Sequence, residues 1–249
     1  ARMALNAREA HKMLDASRKN PHLVAQIVPA PHTLAIDQTI NELIGSDFIG
    51  DLISLHGRIN SGANFPTPNS TPHWRHDRNL SGNNIMNMGI WYEAIMRWLG
   101  DMKDVFALGK NTIPYRVDEN ERRIPTPIPD HIDILGHFAQ GGQMHLTVST
   151  VIGLSPTEVD LFIFGTKGTL RILQSKDSEI EVFAGGEKSS QLKRIEIKPE
   201  KRGNWRVEEE FINAIRGAEE ITHTDFTTAT RYMEWTDAVT ISMQKGELV

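Results

Sequence analysis

Cysteine is absent from the 249 residues, which excludes disulfide bonds, thiolate nucleophiles and Cys-ligated zinc. Positive charge is not in excess either. The 27 Lys and Arg face 32 Asp and Glu, a formal net charge of −5, so nothing in the balance attracts nucleic acid or an acidic membrane surface. No apolar run approaches the ~20 residues that span a bilayer. Arg2, Arg8 and Glu9 interrupt any signal-peptide core at the N-terminus. Internal repeats and low-complexity tracts are missing as well. What remains reads as a globular chain: 39% hydrophobic and 24% charged residues suit a packed core. The length fits one large domain, or a domain plus a fragment. The expected compartment is the cytoplasm, unless a targeting segment precedes Ala1. The chain opens without Met and runs at once into a helix, which reads as a truncation of a longer protein.

That helix is predicted from Asn6, a capping residue with Glu9 three positions on, and from the one-sided stripe Ala7, Ala10, Met13 and Leu14. A short β-rich run, Val24 to Val28, ends at Pro29-Ala30-Pro31. A second helix is predicted from Thr33 or Asp37, with Leu34, Ile36, Ile40, Leu43 and Ile44 apolar and Gly45 near its end. From Gly50 the texture changes to a strand at 52–59 and a Pro/Asn/Ser loop at 61–72. A helix over about 85–99 and a strand near 105–108 follow, then a Pro- and charge-rich surface loop at 114–129. Strands are predicted at 132–139, 143–151, 159–164, 169–173 and 180–183, separated by Gly141-Gly142, Ser155-Pro156, Gly165-Thr166-Lys167-Gly168 and Gly185-Gly186. Short strands with tight turns argue an antiparallel sheet. Met144, Leu146 and Val148 alternate with His145, Thr147 and Ser149, giving one apolar and one mixed face. Two helices close the chain, one after Asn204 with Glu208-Glu209-Glu210 in its first turn and Gly217 at its end, the other over 225–245.

The segment Trp74-Arg75-His76-Asp77, the Gly/Asn loop Ser81-Gly82-Asn83-Asn84, and the helix from Ile85 through Asn87, Gly89 and Trp91 to Trp98-Leu99-Gly100 carry the strongest signal. This stretch resembles the signature of the glucose–fructose oxidoreductase, inositol dehydrogenase and MocA family. Ile49-Gly50-Asp51-Leu52, Gly165-Thr166-Lys167-Gly168-Thr169-Leu170 and Phe211 with Ala214-Ile215-Arg216 are similar to further family motifs, so the resemblance spans nearly the whole chain. It implies an α+β fold: a mostly antiparallel open sheet with flanking helices over 47–249, preceded at 1–46 by the last helix–strand–helix of a Rossmann-like α/β domain. It also implies NAD or NADP as cofactor, a sugar, cyclitol or related polyol as substrate, and a homo-oligomer formed through the sheet.

The chemistry departs from the family where it matters most. The family pairs an Asp and a His on the signature helix; here the positions hold Asn87 and Trp91. Asn87 does not titrate and Trp91 offers only an indole N–H donor, so neither accepts the hydroxyl proton that alcohol oxidation releases. One helical turn apart, the two would share a stripe. Asn87 would orient a hydroxyl, Trp91 would stack on a sugar or nicotinamide face, and Tyr92 would join them as a substrate contact. The family's catalytic lysine would fall at about Ala1, with Arg2 beside it. No G-x-G-x-x-G turn occurs in the chain, so the main dinucleotide-binding segment is not among these residues.

Other readings stay open. His76 or Asp77 would serve as a displaced base. Trp74 and Arg75 match the family's cofactor- or substrate-facing pair, against simple loop packing. His73 and His76 lack a third ligand at a recognisable interval, so no metal site is expected. Glu93 pairs with Arg97 at i+4 as a solvated helix charge. His131, Asp133 and His137 share one sheet face, solvated or buried between copies. The methionines, Met86, Met88 and Met96 among them, and Trp98 and Leu99 read as core. Two functions follow: a nicotinamide-dependent polyol dehydrogenase in its intact form, or a non-catalytic relative that keeps the sheet domain for carbohydrate binding or assembly.

Overall fold

The alternation read from 143 onward governs the whole architecture. The computed structural model describes residues 3–62, 64–83 and 85–249. Expectations resting on Ala1, Arg2 and Asn84 lie outside the described residues. Helix α1 (Ala7–Lys19) begins where Asn6 Oδ1 accepts from the Glu9 amide at 3.0 Å. Helix α2 (Leu34–Gly45) follows, its N-cap at Thr33. An eight-stranded sheet contains β1 (Leu52–Asn60), β2 (Met102–Lys110), β5 (His131–Phe138), β6 (Gln143–Ser149), β7 (Val159–Gly165), β8 (Gly168–Gln174), β9 (Glu181–Gly186) and β10 (Lys193–Ile195). Its order is β10-β9-β8-β7-β1-β6-β5-β2. Every neighbouring pair is antiparallel except β1 and β6, which run parallel because β1 inserts between two later strands.

One face of the sheet presents Leu55, Ile59, Ile134, Leu146, Val148, Leu161, Ile163 and Leu170, all buried. It packs beneath α4 (Met88–Leu99) and α6 (Phe226–Lys245), which contribute Met88, Ile95, Leu99, Met233 and Val239 to the same core. The opposite face is mixed. His56 lies 5.4 Å from Phe164 and 5.9 Å from His145, ring centre to ring centre. Phe162 and Phe164 stack at 5.5 Å, and the Arg171 guanidinium covers Phe162 at 4.9 Å. Asp133 takes a hydrogen bond from Thr147 at 2.6 Å, and His137 contacts Asp104 at 2.8 Å. Leu135 is 47% exposed on this face.

Several sequence expectations need correction. Residues 24–28 are extended but form no strand. A single hydrogen-bond tie runs from the Ile27 amide to the Thr224 carbonyl at 3.0 Å, and without a flanking strand a β-rich run has nothing to pair with. The 114–129 connection holds a hairpin of β3 (Tyr115–Val117) and β4 (Arg123–Pro125). Strand β10 has too little apolar alternation to be read from sequence. Helix α5 (Val207–Ile215) starts three residues after Asn204, with Arg206 at its cap. Ahead of α4, residues Ile85–Asn87 form a 3₁₀ turn and not part of the helix. Among the described residues no helix is long and apolar enough to cross a membrane.

The two chain-terminal helices meet. The Ala7 amide donates to Asp237 at 2.9 Å, Asn83 donates to the other oxygen of Asp237 at 2.8 Å, and His11 pairs with Glu234 at 2.7 Å. The signature loop is thereby fixed to both helices.

Candidate functional site

Helix α4 starts abruptly, and that start shapes the site. Met86 (φ 46°) and Asn87 (φ 65°, ψ 13°) are both left-handed, a conformation Asn tolerates better than most residues. Asn87 makes no capping bond with its side chain. The left-handed turn carries it off the helix axis and into a cavity of about 230 Å³. Around that cavity stand Arg75 and His76 from a 3₁₀ turn (Trp74–His76), Arg116 from β3, and Asp130 and Thr150 from the ends of β5 and β6. His76 and Asn87, eleven residues apart in sequence, are therefore brought together.

His73 and His76 lock each other. The His73 ring Nδ1 accepts from the Arg75 amide at 3.2 Å, and the His76 Nδ1 accepts from the His73 amide at 3.0 Å. With Nδ1 committed as an acceptor, the neutral His76 ring carries its proton on Nε2. Burial, together with the Arg116 and His73 charges, depresses its pKa to about 4. Near neutral pH His76 is therefore an uncharged ring whose Nε2 donates, suited to holding a substrate oxygen and not to removing a proton at that nitrogen. Asp130 is also committed: its oxygens accept from the Thr112 and Ile113 amides at 2.9–3.0 Å.

The other predicted site residues lie elsewhere. Asn87 and Trp91 do not share a stripe, because Asn87 precedes the helix and Trp91 is inside it. Trp91 is 5% exposed and stacks on His32, ring centres 5.1 Å apart and planes 11° apart. It does not line the cavity. Tyr92 stacks on Trp235 at 4.0 Å, accepts from the Met102 amide at 2.9 Å and borders a separate groove. Burial raises its pKa far above that of a free phenol. These contacts make Tyr92 a packing residue and take it out of the cavity. Trp74 lies on the other side of His76, half-exposed, with the Arg75 guanidinium 4.4 Å above its ring, and borders an adjoining cleft. Asp77 caps the short helix α3 (Arg78–Ser81), accepting from the Asn79 amide at 2.8 Å.

Glu93 also needs correction. It does pair with Arg97, but it is 2% exposed, not solvated. Among the described residues no cluster of three His, Asp or Glu is arranged to hold a metal ion. Arg116, Asp130 and Thr150 were not picked out from the sequence. They sit on a connection read as surface loop and at strand ends, where no local pattern marks them.

Among the described residues no glycine lines this cavity. A pyrophosphate needs glycine amides open at a helix start. The Gly82-Asn83 turn ahead of α4 is closed by the chain itself: the Asn83 amide donates to the Leu5 carbonyl at 2.9 Å, and a Cβ on Gly82 would lie 2.1 Å from that oxygen. The cavity is also smaller than the ~300–1,000 Å³ usual for larger ligands.

Comparison with known proteins follows this geometry. No curated protein matches the chain significantly by sequence. Among solved structures, an NAD binding oxidoreductase from Klebsiella pneumoniae superposes with a TM-score of 0.81 at 16% identity, covering 99% of this chain and 71% of that one. Levoglucosan dehydrogenase in complex with NADH and levoglucosan gives 0.82 at 18% identity, with 99% and 71% covered. The transcriptional regulator Gal80p from Kluyveromyces lactis gives 0.78 at 19% identity, with 99% and 64% covered. At these identities the likeness establishes a shared fold. The family model for the GFO/IDH/MocA C-terminal domain matches residues 38–171, more than half of the chain and all of the cavity-forming segments. The chain therefore belongs to the GFO/IDH/MocA family.

Proposed function

We propose that this chain is the polyol-recognising part of a GFO/IDH/MocA protein, binding a sugar, cyclitol or related polyol in the cavity beside Asn87 and His76. The observation that carries the reading is the convergence of a left-handed Asn87 and a donor-only His76 on one small cavity whose walls are otherwise largely apolar, with Met86, Ile113 and Ile128 among them. A carboxamide and an imidazole N–H are suited to hydroxyl groups, and the cavity is of monosaccharide size. Arg75 stands at its edge, with Trp74 bordering the adjoining cleft. With Trp91 packed on His32, no side chain lining the cavity is poised to take a proton from a hydroxyl, so these residues are assigned to binding and orientation. Calorimetric titration with myo-inositol, D-glucose and levoglucosan tests this reading. Saturable binding that weakens by about tenfold in Asn87→Gly supports it, and the absence of heat with every polyol overturns it.

A second reading is favoured by one observation: the oxidoreductases that superpose on this chain extend well beyond the shared region. On that reading residues 1–46 close a Rossmann-like domain, residues 47–249 form the substrate and assembly domain, and NAD or NADP binds to sequence outside these residues. NADH fluorescence separates the two. Enhancement with the 249-residue chain alone would contradict the closed Gly82 turn, whereas enhancement only in a longer protein would support the dehydrogenase. Assembly is part of both readings. The mixed sheet face, with Leu135 and the Phe162–Phe164 pair, is the surface on which a second copy would sit. Light scattering on Leu135→Asp against the unaltered chain tests it, and an unchanged mass would refute it.

A further inference from the structure

We propose that the polyol bound beside Asn87 carries a carboxylate, received by Arg116. This rests on the reading of the cavity as a polyol site. The Arg116 residue is only 9% exposed. One of its terminal nitrogens donates to the Ser70 hydroxyl, and its Nε has no hydrogen-bond partner. No ion pair within 4 Å engages it among the described residues. The carboxylate that shares the cavity, Asp130, already accepts from the Thr112 and Ile113 amides. A buried donor without an acceptor, on a guanidinium without a close counter-charge, is costly to leave unmet. Burial accordingly lowers the pKa of Arg116.

The charges around the cavity point the same way. Arg75 and Arg116 contribute two positive charges, Asp130 one negative charge, and His76 is neutral near pH 7. A neutral polyol would leave the excess positive charge uncompensated, whereas a monoanion balances it. A planar guanidinium is matched geometrically by a planar carboxylate. The cavity of about 230 Å³ limits the ligand to a single sugar ring. A hexuronate or an aldonate meets all three conditions: hydroxyls for Asn87 and His76, a carboxylate for Arg116, and one ring or chain of six carbons.

The experiment compares D-glucuronate with D-glucose, and D-galacturonate with D-galactose, by calorimetry on the 249-residue chain at pH 7. Each acid is expected to bind at least about tenfold more tightly than its neutral partner. In Arg116→Gln that ratio should fall to near one, and Arg116→Lys should keep part of it, since the charge remains without the fork. Equal affinities in the unaltered chain overturn the carboxylate assignment while leaving the polyol site intact. Binding of none of the four sugars overturns both. A preference that survives Arg116→Gln removes Arg116 as the receiving group. The comparison in the unaltered chain decides the matter even if the variants fold poorly.

Discussion

Glu93 and Arg97, one turn apart on α4, hold a carboxylate oxygen 2.8 Å from a guanidinium nitrogen with the Glu93 side chain only 3% exposed. The pair joins elements distant in sequence. Glu93 also accepts from the Ala30 amide at 2.6 Å and the Thr224 hydroxyl at 2.7 Å. Arg97 reaches Asp37 at 2.9 Å and Thr33 at 2.9 Å, and Asp37 accepts from the Trp98 indole at 2.8 Å. The helix that presents the site is thus tied to α2, to the Pro29–Pro31 segment and to the turn before α6 through one charged cluster.

Removing one member strands the others. Glu93→Ala leaves an amide, a hydroxyl and part of a guanidinium without their acceptor, and is expected to cost about 3–5 kcal/mol. Glu93→Gln keeps an acceptor oxygen and should cost less. Urea unfolding followed by tryptophan fluorescence measures both. A loss in Glu93→Ala no larger than the ~1 kcal/mol of an exposed pair would mean that the cluster is not structural.

The pH response of His76 has a definite sign. Its folded pKa, about 4, lies below the ordinary 6.5 because of burial, reinforced by Arg116 and His73. The unfolded chain therefore binds more protons between these values. The stability contributed by the neutral ring is complete above pH 6.5 and is lost as the pH falls toward 4. His32, also lowered by burial, acts in the same direction. Urea midpoints at pH 7, 5.5 and 4.5 should fall more steeply for the unaltered chain than for His76→Gln. Parallel profiles would contradict the buried, neutral ring.

Asn87 can be separated from the backbone that places it. Glycine accepts its φ of 65° freely, so Asn87→Gly should change stability by less than about 1 kcal/mol. It should weaken monosaccharide binding by about tenfold. Trp91→Ala should do the reverse, costing about 3–5 kcal/mol of stability while the remaining folded protein binds as before. Thermal shift and calorimetry on both variants check this. A loss of affinity confined to Trp91→Ala would restore Trp91 to the site.

Gly82 tests the crossing of the signature loop with the N-terminal segment. Alanine at Gly82 or at Gly217 meets a positive φ, 63° or 68°, and at Gly82 the accompanying ψ of −149° lies in a region essentially confined to glycine. Gly217 has open space around it, whereas the new methyl at 82 meets the Leu5 carbonyl. Gly82→Ala should therefore lower the melting temperature clearly more than Gly217→Ala. Equal shifts would show that Leu5 yields easily.

The sequence carried the period-two and period-3.6 elements well. Strands β5 to β9 and helices α1, α2 and α6 announce themselves through alternation, caps and turn glycines. What it hid was non-local. Nothing in residues 24–28 says that they lack a strand to pair with, since that depends on neighbours. Glu93 looks solvated on a helical wheel, and only the return of Ala30 and Thr224 buries it. Asn87 was assigned to a helix because its neighbours are helical, yet two consecutive left-handed residues turn it away from Trp91. Arg116, Asp130 and Thr150 converge only after the hairpin and the sheet have formed. His76, Asn87 and Arg75 are named from the sequence and all line the cavity, while the protonation of His76 depends on the His73 amide.

The placement of β1 also sets an order of events. Ser54 finds its partner Gln143 on one side and Phe164 on the other, roughly ninety and more positions downstream. At ~5–20 residues per second of translation, the middle strand would wait about 5–20 s on the ribosome before either neighbour has been made. During that interval its apolar residues, Leu55 and Ile59 among them, have no sheet to enter, so nascent chains that end between β1 and β6 are the ones most in need of a chaperone.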